Sequence, residues 1–148
     1  MAYTQLLYHV VFSTKERRPF ITPELMPRLA GYVGGIIRAG AGNLLAANGS
    51  GDHLHMCVRL TQTVSLADSV RLIKTNSSKW IHGEVAGLRA FAWQDGYGAF
   101  TVSRSATDDV IRCIQAQAEH RQKMTFQEEF LSLLRKHDIE YDERYIWS

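Results

Sequence analysis

No run of about 18 consecutive apolar residues occurs in the chain, which excludes an evident membrane-spanning helix, and the start Met1-Ala2-Tyr3-Thr4 lacks the basic-then-apolar order of a secretory leader. Cysteine is scarce as well. Cys57 and Cys113 are too few and too far apart for a disulfide framework or a zinc-knuckle spacing, so reduced thiols and a cytoplasmic protein are expected. Low-complexity segments, internal repeats and long linkers are missing, which leaves a single domain over residues 1–148 as the expected organisation. Charge of one sign is also in short supply. A net charge of +2 and a pI near 8.6 fall far below the excess that would itself announce a nucleic-acid binder. What remains is an ordinary soluble composition, 45% hydrophobic and 22% charged, on a length that can bury one core.

Periodicity divides the chain into alternating elements. Tyr3 to Ser13 alternates in Tyr, Val, Leu and Phe, as a half-buried strand does, and Lys15-Glu16-Arg17-Arg18-Pro19 breaks it. Thr22 as N-cap and Pro23 at the first helical position precede Leu25, Leu29, Tyr32, Val33, Ile36 and Ile37, which recur at helical spacing through about Arg38. The Gly34-Gly35 pair inside that helix costs stability and points to a close neighbour. Asn43 to Asn48 and Asp52 to Leu60 read as a hairpin around Gly49-Ser50-Gly51. Ser65 with Asp68 resembles a capping box opening a long helix whose face runs through Leu66, Val70, Ile73, Ser77 and Trp80-Ile81. Tyr97 to Ser103 reads as a further strand. Ser105 with Asp108 opens a helix reaching about Lys123, and Thr125 with Glu128 caps a last one with Phe126, Phe130, Leu133 and Leu134 on its apolar face. The order βαββαβ followed by added C-terminal helices predicts an α+β, ferredoxin-like or RRM-like antiparallel sheet, with helices on one face and the other face available.

His53-Leu54-His55 lies within the predicted third strand, where alternation sends both imidazoles to one side and Leu54 to the other. Two such nitrogens on a rigid surface can hold a divalent cation, although a pair of structural, hydrogen-bonded histidines has the same spelling. On the helix after Ser105, with Ile114 at the centre of the apolar face and Val110, Ile111 and Ala118 beside it, Cys113, Gln117 and His120 share an adjacent stripe. An amide oxygen at Gln117 would complete a mixed nitrogen and oxygen set suited to Mg²⁺ or Mn²⁺.

Several separated segments carry a family resemblance: Tyr8-His9-Val10-Val11-Phe12-Ser13-Thr14-Lys15, Gly51-Asp52-His53-Leu54-His55, Ser65-Leu66-Ala67-Asp68, Ile73-Lys74-Thr75-Asn76-Ser77-Ser78, Trp93-Gln94-Asp95-Gly96-Tyr97-Gly98-Ala99-Phe100 and Glu140-Tyr141-Asp142-Glu143-Arg144-Tyr145. In this order they resemble the HUH-type tyrosine transposases of insertion sequences and REP elements. The resemblance implies a homodimer of RRM-like domains that recognises a DNA hairpin and cleaves and rejoins single-stranded DNA by metal-assisted transesterification. It implies His53, His55 and Gln117 as holders of Mg²⁺ or Mn²⁺, and a nucleophilic tyrosine one helical turn before the glutamine. That position is Cys113. Its sulfur would sit several ångströms short of a tyrosine oxygen, and a thiolate is a soft nucleophile poorly matched to phosphorus.

Three readings of the departure stand open: a cleavage-inactive DNA-binding or regulatory descendant, an enzyme using another tyrosine, or a nuclease using metal-activated water. Tyr8, Tyr97, Tyr141 and Tyr145 are the other tyrosines weighed, each with sheet or aromatic packing as its plainer role. For DNA phosphates the candidates are Lys15, Arg17 and Arg18 after the first strand and Arg71, Lys74 and Lys79 on the long helix, with Asn76, Ser77 and Ser78 as neutral donors. A small-ligand or protein-interaction module on the same fold is the reading of a different class.

Overall fold

The structure is a computed structural model that describes residues 1–117 and 124–148. Its elements are β1 (Leu6–Ser13), α1 (Leu25–Ala39), β2 (Asn43–Ser50), β3 (His53–Leu60), α2 (Leu66–Glu84), β4 (Gly98–Thr101), α3 (Thr107–Gln115) and α4 (Phe126–Lys136). The four strands form one antiparallel sheet in the order β2-β3-β1-β4. This is the expected βαββαβ, α+β arrangement. Among the described residues no helix is long and apolar enough to cross a membrane.

Boundaries moved where pairing or local bonding decided them. β1 begins at Leu6, opposite Leu60 at the end of β3, so the residues from Tyr3 onward have no strand to pair with and Tyr3 is exposed. β2 continues through Gly49 and Ser50, which pair with Leu54 and His53, tightening the hairpin beyond the expected turn. A methyl group at Gly49 would lie 2.0 Å from the His53 carbonyl oxygen, so only glycine lets the two strands approach there. β4 is shorter than the Tyr97 to Ser103 expectation. A 3₁₀ turn over Arg104–Ala106 takes the place of the expected Ser105 cap, with the Thr107 hydroxyl donating to the Ser103 carbonyl at 3.0 Å. α3 ends at Gln115. Its expected continuation to Lys123 enters residues 118–123, so Ala118 and His120 lie outside the described residues. The caps at Ser65 and Thr125 are as expected: each side-chain oxygen accepts from the backbone N–H three residues on, at 3.1 Å.

The two faces of the sheet are both covered. Val10 and Phe12 of β1 and Leu54, Met56, Val58 and Leu60 of β3 point to one side, against Leu25, Leu29, Val33 and Ile37 of α1 and Val70, Ile73 and Ile81 of α2. Gly34 is buried with a contact from Leu44 of β2, which accounts for half of the glycine pair; a side chain at Gly35 would meet the Arg38 guanidinium of its own helix, at 4.0 Å. On the second side the expectation of an available face is corrected. Val11 and Phe100 lie beneath Phe126, Phe130 and Leu134 of α4, and Tyr141 and Trp147 pack around them. The apolar stripe of α4 has to be buried somewhere, and the open sheet face is where it goes.

Candidate metal centre

His53 and His55 extend from β3 to that second face and are 1% and 0% exposed. Their rings stand edge to face with centroids 5.1 Å apart, and Phe126 of α4 stacks on His53 at 4.7 Å. Gln117, two residues past α3, is brought down beside them and is 1% exposed. One anchor of this placement is Asn48 of β2, whose side-chain amide donates to the Gln115 carbonyl at 3.1 Å. A fourth group enters from α4: Oε1 of Glu129 is 3.3 Å from Nε2 of His55 and accepts from Nε2 of Gln117 at 3.2 Å. His53, His55 and Glu129 each offer a ligand atom, all within 4.8 Å of one another.

Glu129 was not among the sequence candidates. The signal was there, because Phe126, Glu129, Phe130 and Leu133 fall at i, i+3, i+4 and i+7, which places a carboxylate inside an apolar stripe. A charge on a buried face is costly unless something pairs with it.

The polar atoms of the centre impose a constraint on one another. Nδ1 of His53 faces Oδ1 of Asp52 at 2.8 Å; a carboxylate only accepts, so Nδ1 carries a proton, and in the neutral tautomer Nε2 presents a lone pair. That lone pair faces Oε1 of Gln117 at 3.2 Å. The Gln117 amide cannot turn round, since its nitrogen is the atom facing the Glu129 carboxylate and the Cys113 carbonyl. In that tautomer two acceptors confront each other in a buried place. Either an imidazolium at His53 or a cation binding both lone pairs reconciles them.

Behind His55 lies His9 of β1, its Nε2 2.9 Å from Nδ1 of His55. Burial above all, and then the charges of His137 and Lys136, pull the His9 imidazole from its ordinary 6.5 down to about 4. Cys113 sits on α3 one turn before Gln117 and is exposed. Desolvation pushes its thiol up, the Glu129 carboxylate pushes it further, and Lys136 opposes both. A neutral thiol is the result.

The other tyrosines weighed lie in packing roles or in solvent. Tyr8 packs on the apolar core, Tyr141 joins the cluster beneath α4, Tyr145 is 66% exposed, and Tyr97 is half-exposed beside the Lys74 ammonium. Among the basic residues, Lys15, Arg18, Arg71 and Lys79 are exposed. Arg17 lies over the Trp147 ring at 5.7 Å, in a left-handed backbone conformation shared with Glu16. It also lines an open pocket of about 250 Å³ with Asp52, Thr125, Phe126 and Gln127, beside His53. Lys74 is placed differently from the expected solvent-facing role. Its ammonium donates to the carbonyls of Gln94, Asp95 and Gly96 at 2.8, 3.1 and 2.6 Å. Desolvation draws it down to about 8, with Asp95 acting in the opposite direction. Ser77 is buried, accepting from the Trp93 indole at 3.0 Å, and faces the core.

Comparison with curated proteins gives no match. Among solved structures, one assigned to a transposase from Deinococcus radiodurans R1 superimposes with a TM-score of 0.65 at 21% identity, covering 78% of this chain and 93% of that one. A REP-associated tyrosine transposase bound to a REP hairpin superimposes with a TM-score of 0.60 at 15% identity, covering 81% of this chain and 72% of that one. At these identities the likeness is one of fold. The model of the family described as IS200-like transposases matches residues 2–117, a span that holds the sheet, both histidines, Cys113 and Gln117. With more than half of its length matched, the chain belongs to the IS200-like transposase family.

Proposed function

We propose that this chain is a single-domain, DNA-hairpin-binding and single-strand-binding protein of the transposase family that retains a Mg²⁺ or Mn²⁺ site at His53, His55, Gln117 and Glu129. The observation that carries the reading is the convergence of ligand atoms from His53, His55 and Glu129 within 4.8 Å of one another, with Oε1 of Gln117 3.2 Å from Nε2 of His53. Nitrogen, amide and carboxylate donors together suit a hard divalent ion better than a thiophilic one. When bound, such an ion would polarise a scissile phosphate and offset charge developing on its oxygens. The chain's own residues prepare for it. Asp52 fixes the tautomer of His53, Phe126 holds the ring in place, and Glu129 supplies the negative charge that the neutral histidines and amide lack.

Cys113 occupies the position that the family resemblance gives to the nucleophilic tyrosine. Its thiol is held in the neutral form by desolvation and by Glu129, and thiols attack phosphorus poorly, so the covalent step is weakened twice over. The reading is therefore a binding protein in which strand transfer has lapsed. For phosphates, Lys15, Arg18, Arg71 and Lys79 remain available, with Arg17 at the rim of the pocket beside His53. Lys74 serves instead as a clamp on the 94–96 loop. A homodimer completes the proposal, and a monomer mass by light scattering would remove that part.

The test incubates labelled single-stranded DNA, carrying the hairpins that flank the native gene, with protein and Mg²⁺ or Mn²⁺. Native, Cys113→Tyr and His55→Ala forms are compared on a denaturing gel that preserves adducts. Hairpin binding by the native form with cleavage and a covalent adduct only for Cys113→Tyr is the expected result. Cleavage by the native form would mean that Cys113, another tyrosine or water supplies the nucleophile. Absence of any hairpin affinity would overturn the reading.

A further inference from the structure

His9 is the imidazole on the covered sheet face that none of these roles uses. In the β1–β3 register it stands opposite Cys57, while His55 stands opposite Val11, so His9 and His55 are diagonal neighbours on one face. Their ring centroids are 5.1 Å apart at an interplanar angle of 33°, and the facing nitrogens are 2.9 Å apart. His9 is itself fixed from behind. Phe100 of β4 meets it edge-on at 6.2 Å, and His137 stacks on Phe100 at 4.5 Å.

One proton occupies the contact between His9 Nε2 and His55 Nδ1, and its side decides what the far edge of His55 presents. If His9 donates, Nδ1 of neutral His55 is an acceptor and its Nε2 carries a proton on the side of Glu129, whose Oε1 is 3.3 Å away, and that proton blocks a metal. If His55 donates, its Nε2 presents a lone pair beside Oε1 of Glu129, which is the arrangement a cation requires. Asp52 leaves His53 no such choice, because a carboxylate cannot donate. His9 can take either part. We propose that His9 is a positioning residue of the metal centre whose Nε2 accepts the Nδ1–H of His55, turning the His55 Nε2 lone pair toward the ion. The two ligand histidines are then aimed from behind by unlike partners, one fixed acceptor and one convertible one. This inference rests on the proposed metal site.

The test is Mn²⁺ titration by calorimetry of the full chain in native, His9→Phe, His9→Gln and His53→Ala forms. Phenylalanine keeps a ring against Phe100 but offers no acceptor, and a loss of about tenfold or more in Mn²⁺ affinity is expected. Glutamine restores an acceptor oxygen on a side chain of similar reach and is expected to recover most of that loss. Native affinity in His9→Phe, alongside a clear loss in His53→Ala, would overturn the inference and leave the metal site standing. No binding by the native protein would overturn both. Should His9→Phe fail to fold, ¹⁵N imidazole shifts of the native, Mg²⁺-loaded protein decide: the proposal requires the His9 proton on Nδ1, and a proton on His9 Nε2 would overturn it.

Discussion

Strand β3 presents equally buried residues to both sides of the sheet, and the two sides are held in different ways. Leu54, Met56, Val58 and Leu60 on one side are 0–6% exposed, and His53 and His55 on the other are 1% and 0% exposed. The first set is held by packing that asks only for apolar volume. The second is held by directed contacts to Asp52, Gln117, Glu129 and His9, each of which restricts the proton position of the next. Depth of burial is the same; tolerance of substitution is not. The apolar face specifies a fold, and the histidine face specifies a charge pattern.

Substitutions can break this contrast in order of size. Phe12→Ala removes a fully buried ring that meets Trp93 at 4.8 Å, and should cost about 3–5 kcal/mol in urea unfolding, enough to threaten the fold at 37 °C. A loss below about 1 kcal/mol would mean that the first face is less tightly packed than it looks. Acid should act on the second face. With a folded-state value near 4 against an ordinary 6.5, His9 takes up its proton more readily in the unfolded chain. Its contribution to stability is complete above about pH 6.5 and is lost as the pH falls toward 4, by on the order of 2–3 kcal/mol. Urea midpoints measured across that window should fall for the native protein and fall less for His9→Phe; parallel curves would refute the assignment.

Glu129→Gln separates the two kinds of holding most cleanly. It preserves shape and removes charge, so the metal-free midpoint should move by less than about 1 kcal/mol while Mn²⁺ affinity drops about tenfold or more. A large loss of metal-free stability would make the carboxylate a structural partner of His55 first and a ligand second. The smallest effect belongs to Ser65→Ala at the start of α2. Loss of the hydrogen bond from the Asp68 N–H should cost about 1 kcal/mol with Mn²⁺ affinity unchanged, which calorimetry checks directly.

The same contrast explains how much was legible in the sequence. The apolar face was written in local periods: alternation in β1 and β3, helical recurrence in α1 and α2, and caps at Ser65 and Thr125. His53 and His55 were legible for the same reason, since alternation alone puts them on one side. Their partners were not. His9 and His55 are 46 residues apart and His53 and Gln117 64 apart, and no local period links such positions. Gln117 was reached through family resemblance together with its helical stripe. Glu129 escaped because its neighbour Glu128 already had a role in the Thr125 cap, so the carboxylate within the apolar stripe passed as part of an ordinary helix start. Coverage of the second face escaped because a βαββαβ order says nothing of where later helices settle. Lys74 looked like a solvent-facing cation, and only the fold of the 94–96 loop supplies the three carbonyls that occupy it.

Gly98 gives the centre an unexpected depth stop. A methyl group there would lie 2.8 Å from Cε1 of Phe130, so the bare backbone of β4 is the socket into which that ring settles. Glu129 precedes Phe130 on the same helical turn, and the height at which its carboxylate hangs over His55 is thereby gauged by a residue with no side chain at all. Adding a single carbon at Gly98 would press on that ring and, through it, on the helical turn that carries Glu129.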